Sequence, residues 1–127
     1  MSDHTASLED SASNIIKQGW LLKQSRYIQD WRRRWIVLTD KSIDSYKNPA
    51  AVISNQPTES LPLSQCSTVK SVEGLTYKHA FRVDTPERVF LLVGASVAEK
   101  EAWIGAIGKQ MIHTGLSNVY TEEDVVY

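Results

Sequence analysis

The chain has a single cysteine, Cys66, among 127 residues, so no disulfide within the chain can brace it. Such sparing use of cysteine suits a reducing, intracellular compartment. Long hydrophobic runs are also missing. The longest, Val89–Val93, spans five residues, whereas a transmembrane helix needs about 20. The N-terminal stretch carries Asp3, Glu9 and Asp10 where a secretory signal places basic and apolar residues. Residue 2 is serine rather than a myristoylation glycine, and the chain ends in Asp-Val-Val-Tyr without a prenylation box. Any membrane attachment is therefore expected to be non-covalent. No glycine-rich phosphate loop, zinc motif or hydrolase elbow occurs. His4, His79 and His113 have no metal-ligand spacing to one another or to Cys66. The expectation is a protein without catalytic residues, metal or cofactor.

Hydrophobic residues make up 42% of the chain and charged residues 23%, the composition of one folded globular domain. The net charge of −1 hides a segregation. Between Lys17 and Lys47 lie eight Lys or Arg against three Asp, a net +5; the rest holds six against twelve, a net −6. A basic stretch between acidic ends points to a surface that meets an anion, with a merely solvated face as the alternative.

Residues 1–14 lack apolar periodicity and read as a flexible leader, 15–113 as the folded domain, and 114–127 as an acidic tail. Lys17–Gln24 and Trp31–Thr39 have strand length and composition, and together predict an antiparallel hairpin. A tight turn at Asp40-Lys41 leads into a third strand, Ser42–Lys47, which Asn48-Pro49 ends. Residues 48–59 read as loop. Leu61–Leu63, Thr68–Val72, Ala80–Asp84 and Arg88–Val93 follow as short strands. The period then changes. Ser96 and Glu99 form a capping box, and Trp103, Ile104, Ile107 and Met111 recur at helical spacing, with Gly115 as the stop. Gly105 and Gly108 inside that helix suggest close approach to the sheet. Seven short antiparallel strands and one amphipathic helix predict a strongly bent sheet or partial barrel, closed on one side by the helix.

Side chains alternate along a strand, so parity sorts the hairpin. Leu21 and Lys23 share one face, as do Arg32, Arg34, Ile36 and Leu38. If the apolar members point inward, Lys23, Arg32 and Arg34 continue their rows to the open end of the barrel. Buried unpaired cations are prohibitive, so the mouth should hold water or an anion. Arginine forks and a lysine point charge, spaced about 7 Å along a strand, suit a multiply phosphorylated headgroup. Arg33 falls on the other face with Trp31 and Trp35, where a stacked, structural role is expected. Tyr27 and Ile28, at the tip of the connection, are candidates for dipping into a membrane interface, with packing back on the domain as the alternative.

The runs Gly19-Trp20-Leu21-Leu22-Lys23, Trp31-Arg32-Arg33-Arg34-Trp35-Ile36-Val37-Leu38-Thr39-Asp40 and Glu101-Ala102-Trp103-Ile104 resemble the pleckstrin homology family over about residues 17–112. The resemblance implies seven antiparallel strands in two near-orthogonal sheets capped by a C-terminal helix. It also implies phosphoinositide binding through Lys23 and Arg34, with Arg32 in support. Lys41 and Lys47 are electrostatic candidates outside the motif. Gln29 stands where strong lipid binders of this family often place a basic residue, with Asp30 following it, and Asp44 and Ser45 stand where Tyr, Lys or Arg often meets the headgroup.

The expected partners are thus phosphoinositide headgroups and an anionic membrane surface, at the cytoplasmic face of the plasma membrane or an endomembrane. With no second domain in the sequence, an adaptor or sensor role is expected. A protein-interaction module of the same fold, using the acidic tail or the Trp20, Trp31 and Trp35 surface, is the alternative. A nucleic-acid partner would need an extended aromatic and basic stripe, which the chain lacks.

Overall fold

The computed structural model describes residues 14–24 and 29–114. Most of the expected leader and tail, and the loop-tip pair Tyr27 and Ile28, lie outside the described residues. Seven strands form: β1 (Ile15–Gln24), β2 (Trp31–Thr39), β3 (Ser42–Tyr46), β4 (Glu59–Pro62), β5 (Thr68–Val72), β6 (Ala80–Asp84) and β7 (Val89–Val93). A short helix α1 (Pro49–Ile53) joins β3 to β4, a 3-10 turn (Leu63–Gln65) follows β4, and a long helix α2 (Val97–Thr114) follows β7.

Neighbouring strands pair antiparallel in one sheet of order β4-β3-β2-β1-β7-β6-β5. The expected two sheets are thus continuous, because β1 is long enough to serve both halves. It pairs along its length with β2, and only Leu22 and Lys23 pair with Val93 and Leu92 of β7. The N-terminal extension of β1 to Ile15 reaches Thr39 across an irregularity between Ile15 and Lys17.

Two elements depart from expectation. The presumed loop after Asn48 holds α1: the Asn48 side chain accepts the Ala51 N–H at 3.0 Å and Pro49 opens the helix. The Asn-Pro pair that stops a strand is equally a helix cap followed by a residue already fixed in φ, and five residues are too few to show a period. The fourth strand lies earlier than Leu61–Leu63, and Leu63 instead begins the 3-10 turn. Pro62 closes β4, an edge strand, where a missing N–H costs least.

The core gathers Leu21, Ile36, Leu38, Phe81, Val83 and Leu92 from the strands with Trp103 and Ile107 from α2. These inward residues obey the alternation read from the hairpin. Ser96 Oγ accepts the Glu99 N–H at 3.1 Å, which fixes where the helix starts. The helix packs on β5 and on the turn after β4, so it spans the gap between the two unpaired sheet edges. Gly105 and Gly108 are not needed for that contact. A Cβ at Gly105 would meet nothing within 4 Å, and one at Gly108 would touch Val69 at an ordinary 3.7 Å.

Candidate functional site

The last turn of the hairpin ladder decides what the open end presents. Lys23 lies opposite Arg32, and Leu21 opposite Arg34. β3 runs back beside β2 with Tyr46 against Trp35, so Lys47 leaves the sheet next to Arg34. Glu59 returns the chain opposite Ser45. Arg88, immediately before β7, comes to the same place from the other half of the sheet.

Lys23 is the most enclosed of these groups, with 8% of its surface exposed. Its Nζ donates to Glu59 Oε1 at 2.6 Å and to Ser45 Oγ at 2.7 Å. Arg88 Nη2 donates to the same Glu59 oxygen at 3.2 Å, while its guanidinium stacks 3.6 Å from the Phe90 ring centroid. One carboxylate therefore bridges two cations over an aromatic floor. Burial pushes the Lys23 pKa down from its ordinary value, and the hydrogen bond and charge of Glu59 oppose that fall. The cavity beneath Lys23 and Glu59, walled by Ile36, Ile43, Phe90 and Leu92, has room for about one water. An inositol ring cannot enter there, so only the rim outside it is open to a ligand of that size.

Arg34 is half-buried and donates from Nη1 to the Arg33 carbonyl at 3.2 Å. Arg32 is exposed, 3.8 Å from Asp30, so the acidic residue noted in the sequence tempers this cation. Gln29 adopts a positive φ of 61° where the chain re-enters the sheet. Lys47 is exposed at the same end. Lys41 stands apart: it occupies the β2–β3 turn, where its carbonyl accepts the Leu63 N–H at 2.9 Å. Nine residues of extended chain, roughly 25–30 Å, separate it from Arg32.

Alternation also sorts the two residues of β3. Ser45 faces Lys23, whereas Asp44 points to the other face and accepts from the Ser60 hydroxyl. Arg33 stacks 4.1 Å over Trp20, which meets Trp35 edge-on at 5.3 Å. The expected aromatic partner of Arg33 was Trp31 or Trp35 on its own strand; the neighbouring strand supplies it instead. Trp31 packs edge-on against Tyr77 of the β5–β6 connection at 5.2 Å.

Glu59 and Arg88 had not been singled out in the sequence. Glu59 ended a presumed loop and Arg88 opened a presumed strand, and only the β3–β4 register and the β1–β7 junction bring them to Lys23. Cys66 is half-buried and burial pushes its thiol up to about 11, the opposite of an activated nucleophile. Among the described residues no three His, Cys, Asp or Glu side chains gather as a metal site, and no helix is long and apolar enough to cross a membrane.

Comparison with known proteins agrees with this geometry. A pleckstrin homology domain-containing protein 1 from Arabidopsis thaliana is 34% identical over 103 residues, covering 79% of this chain and 71% of that protein. A human pleckstrin homology domain-containing family A member 6 is 30% identical over 99 residues, covering 75% of this chain and 9% of its own length. The chain thus spans most of the first relative and a small part of the second. Among solved structures, the C-terminal PH domain of pleckstrin superposes with a TM-score of 0.67 at 30% identity, covering 79% of this chain and 99% of that one. The same domain in complex with D-myo-Ins(1,2,3,5,6)P5 also gives 0.67 at 30% identity, covering 79% and 98% of the two chains. The family model for the PH domain matches residues 15–111, and the chain belongs to the PH domain family.

Proposed function

We propose that the domain is a non-catalytic module that binds the phosphorylated headgroup of a phosphoinositide at the rim formed by Lys23, Arg32, Arg34, Lys47 and Arg88. In this reading the headgroup holds the protein at the cytoplasmic face of a membrane, where it acts as an adaptor or sensor. The observation that carries the reading is the convergence of these five cations, from both halves of the sheet, on one end of the β1–β2 hairpin. The pleckstrin domain seen with an inositol pentakisphosphate supports the choice of ligand. Lys41 is left out of the site because of its distance.

Arginine and lysine contribute differently here. Arg34 and Arg32 offer forks for bidentate contact, while Lys23, anchored by Ser45 and Glu59, is a fixed point charge. Tyr27 and Ile28 are retained as the loop pair that enters the lipid interface.

The test is sedimentation with vesicles of one phosphoinositide at a time, against phosphatidylserine at matched charge. Lys23→Ala with Arg34→Ala should weaken phosphoinositide binding at least tenfold, because each cation near an anionic membrane is worth about 1 kcal/mol even without specific contacts. The melt should move down because Lys23→Ala also breaks the Lys23–Glu59 pair, but it should stay cooperative, and Arg34→Ala alone, at a half-buried side chain, should weaken binding with little change in the melt. Equal sedimentation of the double variant and the parent would reject the site and favour the second reading, a protein-interaction surface. The Trp20–Arg33–Trp35 stack, which flanks a groove lined by Leu22, Val93 and Gly94, is what favours that alternative.

A further inference from the structure

The helix α1 is apolar and almost wholly outside the core. Its sequence is Pro-Ala-Ala-Val-Ile, none of its residues is buried, and Ile53 is 90% exposed, the most exposed large hydrophobic side chain among the described residues. Residues 48–58 carry no charged side chain. An isoleucine left in water at the end of an uncharged projection stabilises nothing in the fold, so its place relative to the cationic rim is what matters.

Both feet of the projection stand on that rim. The outgoing strand ends at Tyr46 and Lys47, beside Arg34. The returning chain is fastened by Thr58, whose N–H and Oγ1 both donate to the Ser45 carbonyl at 2.7 and 3.1 Å. Ser45 is also the residue that holds Lys23. Its backbone is prepared for leaving water as well. Asn48 caps the Ala51 N–H, and the N–H groups of Ser54, Asn55 and Gln56 donate back to the carbonyls of Ala50, Val52 and Ala51. Ser54 Oγ donates to the Ala51 carbonyl at 3.3 Å. Backbone groups satisfied within the segment are what a chain needs before entering a poorly hydrogen-bonding medium.

We propose that α1 is a membrane-contacting element, inserting Ile53 and the neighbouring Pro49–Ala50 face into the interface of an anionic bilayer while Lys47, Arg34 and Arg32 hold the lipid phosphates. The proposal deepens the headgroup reading above and rests on its choice of the rim as the side that faces the membrane. Charge complementarity selects the occupant. An apolar tip without charges, with Lys47 and Arg34 beside its outgoing foot, matches a bilayer whose acyl region lies just below a layer of phosphates.

The experiment compares the full chain with Ile53→Ser on phosphatidylcholine vesicles doped with phosphatidylinositol 4,5-bisphosphate, and on vesicles doped with phosphatidylserine at equal surface charge. Calorimetry with soluble inositol 1,4,5-trisphosphate runs in parallel. Loss of one inserted isoleucine should weaken binding to both vesicle types about tenfold. Affinity for the soluble headgroup should not change, and Ile53→Leu should restore vesicle binding. Ile53 is so exposed that neither substitution threatens the fold. Equal vesicle affinity of Ile53→Ser and the parent would overturn the proposal and leave α1 as a contact for another macromolecule. A parent that ignores the soluble headgroup yet loses vesicle binding on Ile53→Ser would sink the headgroup reading and keep α1 as a membrane element. Absence of binding to every vesicle would overturn both.

Discussion

Replacing Glu59 with glutamine should tighten headgroup binding while loosening the fold. The Glu59 carboxylate sits 2.6 Å from Lys23 Nζ and 3.2 Å from Arg88 Nη2, in the position a phosphate oxygen would take on those cations. A phosphate on the rim at Lys23 would lie about 5 Å from the carboxylate. Two like charges at that distance repel by about 3 kcal/mol at an effective dielectric constant near 20, and by less than about 1 kcal/mol in bulk water. The Glu59 side chain is 21% exposed at an open rim, so about 1–2 kcal/mol is the fitting range. Glu59→Gln should therefore raise affinity for soluble inositol phosphates about five- to thirtyfold in calorimetry. The same change removes the counter-charge of an enclosed lysine. Breaking a fully buried pair costs about 3–5 kcal/mol; here Ser45 and the new amide oxygen keep accepting, and about 1–2 kcal/mol is expected in a denaturant melt. The shift of Lys23 gives a second check. Burial lowers its folded pKa below 10.5, so the folded state loses its proton first and stability rises as pH climbs from the folded value towards 10.5. Losing the carboxylate lowers the folded value further and moves the onset of that rise to lower pH. Unchanged or weaker headgroup binding by the variant would refute the idea that Glu59 competes with the ligand.

Two further predictions concern the helix that closes the sheet. Trp103 is fully buried over Gly19 and the core, so Trp103→Ala should cost about 3–5 kcal/mol in a urea melt. Trp103→Phe should cost clearly less, because among the described residues the indole N–H has no hydrogen-bond partner to lose; a shift below about 1 kcal/mol for the alanine variant would mean the helix is not docked through this residue. Gly105 is exposed inside the helix with open space where a Cβ would stand, so Gly105→Ala should stabilise the domain by about 1 kcal/mol, and a destabilised variant would contradict that geometry.

Elements flanked by turn residues were legible. β2, β5 and β6 have the bounds read from the sequence, although β5 has no buried residue, because turn residues mark both ends of each. Trp103 and Ile107 were recoverable from their spacing, since a helix lying on a sheet exposes only one stripe to it. The short helix α1 left no such trace. α1 buries nothing, so its only signal was the cap, which reads equally as a strand terminator. β4 was displaced because a four-residue edge strand ending in proline alternates too briefly to fix its own register.

The site divides along the same line. Parity within β1 and β2 is local, and it placed Lys23, Arg32 and Arg34 at one end of the hairpin without knowledge of any other strand. What surrounds them is not local. Glu59 lies 36 residues from Lys23 along the chain and Arg88 another 29 beyond it, and their meeting depends on two registers at once. The inference that enclosed cations require an anion was sound as physics, yet the chain supplies part of that anion itself through Glu59. This changes what the cationic motif implies about affinity. A lysine already neutralised in the resting fold gains less from an incoming phosphate than a bare one, because the new contact replaces an existing one. In the proposed reading Arg34 and Lys47, held by no comparable carboxylate contact of their own among the described residues, carry the larger share of the attraction, and the departures from the strong-binder pattern extend from Gln29 and Asp30 to Glu59.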